Sequence, residues 1–160
     1  MYKRQTVYLD TETTGISDDD EMVELTIIDD DGKPLINTLI KPKFHRTWAG
    51  AQRVHGISPL DVRHAPTQDE ISDDIRKVVK GKRVVIYNAP FDSKFLPELE
   101  DAEEITCAMR EFANWNESRW KSLTNATKII NYEWEGAHRA LADTLALRAI
   151  WHHLKKEKAV

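Results

Sequence analysis

Apolar and polar positions alternate or cluster in a way that divides the chain early into strands and late into helices. The segments "TVYLD" (6–10), "MVELTIID" (22–29) and "PLINTLIK" (34–41) are rich in β-branched and aromatic residues and predict three strands. "DDDG" at 29–32 joins the second to the third as a turn, so a short antiparallel meander is expected. The acidic run "SDDDE" at 17–21 belongs in the solvated loop of the first hairpin. A short helical stretch ended by Gly56 follows, then an irregular passage broken by Pro59 and Pro66. "TQDEISDDIRKVVKG" at 67–81 carries a Thr cap, a Glu three residues on and a Gly stop, with Ile71, Ile75, Val78 and Val79 as its apolar stripe. "RVVIYN" at 83–88 predicts a buried strand, "PFDSKFLPEL" starts helical, and "EITC" at 104–107 is a weaker strand.

Helices are predicted over 106–114, 122–131 and about 138–157; in the last, Leu147, Ile150, Trp151 and Leu154 follow helical spacing. Strands followed by alternating strands and helices indicate an α/β sheet with an antiparallel portion near its start. At 160 residues the chain suits one domain, expected over 1–160. Hydrophobic residues make up 41% and charged residues 31%, which provides a core. No segment has the roughly 18 continuous apolar residues of a membrane span, and the first strand leaves no room for a secretory leader. Cys107 stands alone, which excludes an internal disulfide. A cytoplasmic protein with no membrane partner is expected. The formal charge of −4 argues against a protein that coats nucleic-acid phosphates, but not against one that grips a strand end through metal cations.

Acidic residues then fall at three stations. In "VYLDTETTGI" (7–16), Asp10 and Glu12 follow an apolar run, and strand geometry turns both to one side and Thr11 to the other. Two carboxylates so close need a compensating partner. In "IYNAPFDSKFL", Asp92 follows a strand by a few residues, at the strand end where α/β sheets gather ligands. In "HRALADTLAL", Asp143 precedes Leu147, Ile150 and Leu154 by 4, 7 and 11 residues and so shares their core-facing side. His138 lies five residues before Asp143 and is turned away by about 140° on an ideal helix. It can serve the same site only from the loop or first turn ahead of that helix. Four carboxylates and a histidine without spare cysteines favour Mg²⁺ or Mn²⁺ over structural zinc. Two such ions about 4 Å apart suit phosphodiester hydrolysis, with a neutral imidazole to take a proton from water.

Together, "LDTETTG", "YNAPFDSKFL" and "HRALADT" resemble the three ordered motifs of the DEDDh 3′→5′ exonucleases, the group of the DNA polymerase III epsilon subunit and exonuclease X. "VHGISPLDV" and "WKSLTNAT" are similar to the family's intervening segments. The resemblance spans nearly the whole chain. It implies an RNase H-like fold with a mixed five-stranded sheet flanked by helices. It implies Asp10, Glu12, Asp92 and Asp143 as ligands of two Mg²⁺ or Mn²⁺ ions, and His138 as general base. It places Thr13, Thr14 and Gly15 against the terminal nucleotide, with Asn88 and Phe91 from the second motif beside it. The implied activity is removal of nucleoside 5′-monophosphates from the 3′ end of DNA, single-stranded or frayed, in replication or repair. No polymerase-tethering tail is expected after residue 160, and a stand-alone enzyme is expected over a dedicated replisome subunit.

Three other readings compete. A 3′-trimming exoribonuclease shares the motifs, and an end-binding module without catalysis would share the fold. A haloacid-dehalogenase-type phosphatase also places paired acids after its first strand, but Glu12 is a methylene longer than its second acid, and "HRALADT" offers neither the later lysine nor the paired acids it expects. Of the five tryptophans, Trp151 fits the core stripe, whereas Trp115 and Trp120 could border a substrate groove, with packing the favoured role. Lys94, Arg119, Lys121 and Arg139 are the cations expected nearest a strand end.

Overall fold

The computed structural model describes residues 4–134 and 139–157. Strands β1 (Thr6–Thr13), β2 (Met22–Ile28) and β3 (Pro34–Leu39) lead into helices α1 (Ala49–His55) and α2 (Gln68–Val79). Then come β4 (Arg83–Ile86), the single turn α3 (Ala89–Asp92), two 3₁₀ turns (Ser93–Phe95 and Pro97–Asp101) and β5 (Glu104–Cys107). Helices α4 (Ala108–Trp115), α5 (Leu123–Ile129) and α6 (Ala140–Lys156) complete the described chain. The five strands form one sheet in the order β3-β2-β1-β4-β5. β1–β2 and β2–β3 pair antiparallel, whereas β1–β4 and β4–β5 pair parallel. The expected meander and mixed sheet are therefore present.

Strand alternation sorts the core into two layers. Val7, Leu9, Leu25, Ile27, Val84 and Ile86 face α2 and the 3₁₀ turns, where Ile75, Val79 and Leu99 meet them. Tyr8, Ile28, Val85 and Tyr87 face the other way, against Phe112 of α4 and Leu147, Ile150, Trp151 and Leu154 of α6. Trp151 is thus the core residue its spacing predicted. Trp115 also packs, its ring 5.5 Å from Phe112 and 5.0 Å from His153, while Trp120 stands exposed.

Two boundaries differ from expectation in an informative way. β1 does not end at Asp10 but runs on to Thr13, with a register shift between Glu12 and Thr13. Asp10 and Glu12 therefore lie within a paired strand, opposite Thr26 and Glu24 of β2. The apolar content of the run hid this, because the extension is polar and is ordered by its ladder. β4 stops at Ile86, short of the expected Asn88, because residues 87 and 88 already turn into α3. α2 matches its signals, with a complete capping box between Thr67 and Glu70. Among the described residues, no helix is long and apolar enough to cross a membrane.

Candidate active site

Parity along β1 decides which acids meet. Asp10 and Glu12 share the side of Tyr8, the face covered by α6, and Asp143 lies in the first turn of that helix. One carboxylate oxygen from each of Asp10, Glu12 and Asp143 lies within 4.8 Å of the others. Thr11 points to the opposite side, where its hydroxyl donates to Oδ2 of buried Asp92 at 2.8 Å. Asp92 is thus beside the trio rather than in it, yet its charge acts on both Asp10 and Glu12.

The electrostatics are those of a site waiting for positive charge. Burial, then the neighbouring carboxylates of Asp92, Asp143 and Glu12, push the Asp10 carboxyl well above its ordinary range. Burial first, then Asp143, Glu24 and Asp92, push Glu12 up to about 9. Burial pushes Asp92 to about 7 against the opposing pull of the Thr11 hydroxyl. Oδ2 of Asp10 is sealed from solvent and has no hydrogen-bond partner among the described residues. A buried carboxylate oxygen without a donor is costly. Three hard oxygen donors and an orphaned oxygen fit a divalent cation of the Mg²⁺ or Mn²⁺ kind.

The second motif is only partly engaged. Asn88 is exposed, and its carbonyl accepts from the backbone N–H of Phe91 at 3.0 Å. Phe91 stacks edge-on with Phe95 at 5.3 Å, and Lys94 lies over its ring at 5.0 Å while also donating to the Ile16 carbonyl at 3.2 Å. Lys94 therefore ties the second motif to the loop of the first.

Thr13 and Thr14 turn out to shape that loop. The Thr13 hydroxyl donates to the Gly15 carbonyl at 2.7 Å, and the Thr14 hydroxyl donates to Asp20 at 2.6 Å. Both side chains are buried, so their hydroxyls are engaged within the protein. Gly15 passes so close to Asp20 that a Cβ would sit 2.5 Å from its Oδ2. His138 lies outside the described residues.

Sequence reasoning missed two supports. Glu24, buried opposite Glu12, accepts from Arg139 and from the backbone N–H of Ala140, where α6 begins. The signal was present, since a lone acid inside an apolar strand demands a partner. His55 is the second: its Nδ1 accepts from the Ile57 N–H at 3.0 Å, so Nε2 carries the proton and donates to the Thr13 carbonyl at 2.9 Å. That hydrogen bond holds the point where β1 leaves the sheet. The run "VHGIS" marked the segment but not the role. Of the expected cations, Arg139 is bound to Glu24, and Arg119 is exposed.

The chain matches the model of the exonuclease family RNase_T over residues 7–150. It is 34% identical over 158 residues to an uncharacterized exonuclease, CP81, of Escherichia phage 186, covering 86% of this chain and 81% of the phage protein. It is 32% identical over 121 residues to the DNA polymerase III subunit epsilon of Rickettsia conorii, covering 71% of this chain and 52% of that subunit. Among solved structures, exonuclease X in complex with 5′-overhanging duplex DNA superposes with a TM-score of 0.77 at 23% identity, covering 97% of this chain and 93% of the other. That likeness is one of fold, and it is the RNase H-like exonuclease fold.

Proposed function

The chain belongs to the RNase_T exonuclease family, and from that membership we propose that it hydrolyses DNA from the 3′ end, releasing nucleoside 5′-monophosphates. The observation that carries the proposal is the convergence of Asp10, Glu12 and Asp143 within 4.8 Å, with one buried oxygen of Asp10 unpartnered among the described residues. A binding module has no use for carboxylates that burial and mutual repulsion hold this unfavourably; a phosphodiesterase does.

In this reading Asp10, Glu12 and Asp143 hold divalent cations, with Asp92 as the fourth carboxylate, aimed by the Thr11 hydroxyl. Divalent cations held there would supply positive charge to the reacting phosphate. His138, the histidine of the third motif, takes the proton of the attacking water. Water oxygen bonds to phosphorus, the bond to the 3′ oxygen of the preceding nucleotide breaks, and the phosphate leaves on the 5′ carbon of the released nucleotide. The Thr13–Gly15 turn and Phe91 border the terminal nucleotide. The contribution of Thr13 and Thr14 is the shape of the turn, since their hydroxyls are engaged within it. Support for DNA and for a 3′ end comes from the exonuclease X complex, because a 5′ overhang presents a recessed 3′ terminus.

The test incubates the protein with 5′-labelled DNA and RNA oligomers in Mg²⁺, in Mn²⁺ and in EDTA. A ladder that shortens from the 3′ end of DNA, and stops in EDTA, is expected. Faster shortening of RNA would reassign the substrate to RNA ends. Release of the label as a mononucleotide would overturn the direction, and inertness on every oligomer would favour an end-binding module.

A further inference from the structure

Between residues 41 and 64 the chain carries Lys41, Lys43, Arg46, Arg53 and Arg63 against a single acid, Asp61, although its overall formal charge is −4. The fold gathers four of these cations. Lys41, Lys43, Arg46 and Arg63 line one open groove of about 370 Å³ floored by Trp48 and Val62. All four are exposed. The Lys43 ammonium has an acid, Asp69, at 3.7 Å, but both side chains are strongly exposed and such a pair is weak. Phe44 stands beside them 77% exposed, with the Lys43 ammonium 5.6 Å from its ring centre. A basic groove with an aromatic face at its edge is the combination that binds single strands.

The groove is fastened to the loop of the acid cluster rather than placed at random on the surface. The Glu21 carboxylate accepts the backbone N–H groups of Lys43, Phe44 and His45 at 2.5, 2.8 and 2.9 Å. The His45 ring bridges Glu21 at 2.8 Å and Asp20 at 3.3 Å, and Asp20 in turn holds Thr14. The Thr14 N–H bonds the Glu21 carbonyl at 2.8 Å, and His55 holds the Thr13 carbonyl from the other side of the turn. The basic segment and the Thr13–Gly15 turn thus form one hydrogen-bonded unit.

We propose that this groove binds the phosphate backbone of the substrate strand on the 5′ side of its terminal nucleotide. The inference rests on the exonuclease reading for the direction of the strand, and on charge and connectivity for the groove. The acids take the end of the strand through cations; the groove takes the following phosphates directly. An acidic protein is the rival occupant, but the link to the turn beside the acids favours nucleic acid.

The experiment compares the parent chain with the triple variant Lys41→Gln, Arg46→Gln, Arg63→Gln. Binding of fluorescein-labelled single-stranded DNA is followed by anisotropy in EDTA over a range of salt, with a trinucleotide, a longer oligomer and the longer oligomer annealed to leave a 5′ overhang. The slope of log affinity against log salt should shrink by about 0.7 for each phosphate no longer neutralised, or about 2 in all, for the longer single strand. Trinucleotide affinity, the melting temperature and hydrolysis of the p-nitrophenyl ester of thymidine 5′-monophosphate in Mn²⁺ should stay within twofold. An unchanged slope would overturn the groove and admit an acidic protein there. An equal loss on the trinucleotide, or a loss confined to the annealed substrate, would overturn its assignment to the substrate strand. A groove-dependent slope in a parent that hydrolyses neither ester nor oligomer would uphold the groove and sink the nuclease reading alone.

Discussion

Glu24 is held by Arg139 across 115 residues of sequence, with Nε at 3.2 Å from one carboxylate oxygen and Nη2 at 2.7 Å from the other. Glu12 lies directly opposite Glu24 on the neighbouring strand. Two adjacent acids on one face therefore have different fates. Glu24 is neutralised from within the chain and also accepts the Ala140 N–H at 2.9 Å, which caps α6 from the sheet because Arg139 at the N-cap supplies no side-chain cap of its own. Glu12 instead shares a hydrogen bond with Asp143 across the cluster. The pair fixes where α6 starts, and with it where Asp143 enters the cluster.

Removing the two partners should have unequal consequences. Arg139→Ala strands a buried carboxylate, and breaking a buried pair from one side costs about 3–5 kcal/mol. The Arg139 side chain is half exposed, so water reaches the vacated place and the lower end, about 3 kcal/mol, is expected. Glu24→Gln keeps an acceptor for Ala140 and discards the charge, for about 1 kcal/mol. Urea denaturation of both variants checks the order. The reverse order would mean that Glu24 acts through its negative charge at the start of α6 rather than through its pair with Arg139.

Asp10 predicts a gain of stability from a lost function. Asp10→Asn removes a buried charge whose Oδ2 has no donor among the described residues, so in EDTA the variant should melt higher than the parent. Addition of Mn²⁺ should stabilise the parent, by about 2.7 kcal/mol at a hundredfold excess over the dissociation constant. The variant should respond weakly and hydrolyse nothing. Equal Mn²⁺ stabilisation of both proteins would remove Asp10 from the cation site.

Much of this arrangement was legible before any coordinates, and the reason is local. Asp10, Glu12 and Asp143 declare themselves because strand and helix periods fix the side on which each must emerge. What the sequence withheld depends on bonds between distant segments. The Thr11–Asp92 bond joins residues 81 apart, and no period links a hydroxyl on one strand to the helix that follows another. Glu24 was visible as an anomaly within an apolar strand, but its partner follows a histidine in the third motif. The polar extension of β1 to Thr13 escaped notice because hydrogen bonds to β2, not side-chain type, make it a strand.

Thr11→Val tests whether the hydroxyl on the far face of β1 tunes the site. The substitution keeps shape and deletes the side-chain donor that, beside the backbone N–H groups of Asp92 and Thr11, pulls the Asp92 carboxyl down from the level burial would impose. Asp92 should then hold its proton to higher pH. The acid limb of the pH profile of kcat/KM should move upward, with a loss near neutral pH of roughly tenfold, the equivalent of about 1.4 kcal/mol. The same loss at every pH would make Thr11 a packing residue only.

The cluster should also give the cation-free protein a stability that falls as pH rises. Glu12 is raised from 4.5 to about 9, Asp92 from 3.8 to about 7, and Asp10 well above 3.8. Between the unfolded and folded values the native chain binds more protons than the unfolded one, so the slope of unfolding free energy against pH is negative. The penalty is absent below the unfolded values and complete above the folded ones. Asp20, Glu21 and Asp30 act in the opposite sense, because hydrogen bonds hold their carboxyls low and that support is lost only in acid. Melting in EDTA should therefore decline from about pH 5 to about pH 9, and Asp10→Asn should flatten the decline. Cations compete with those protons, so the stabilisation given by a fixed Mn²⁺ concentration should grow over the same interval. A melting temperature in EDTA that rises with pH would mean these carboxylates ionise without cost, and the case for a cation held between β1 and α6 would go with it.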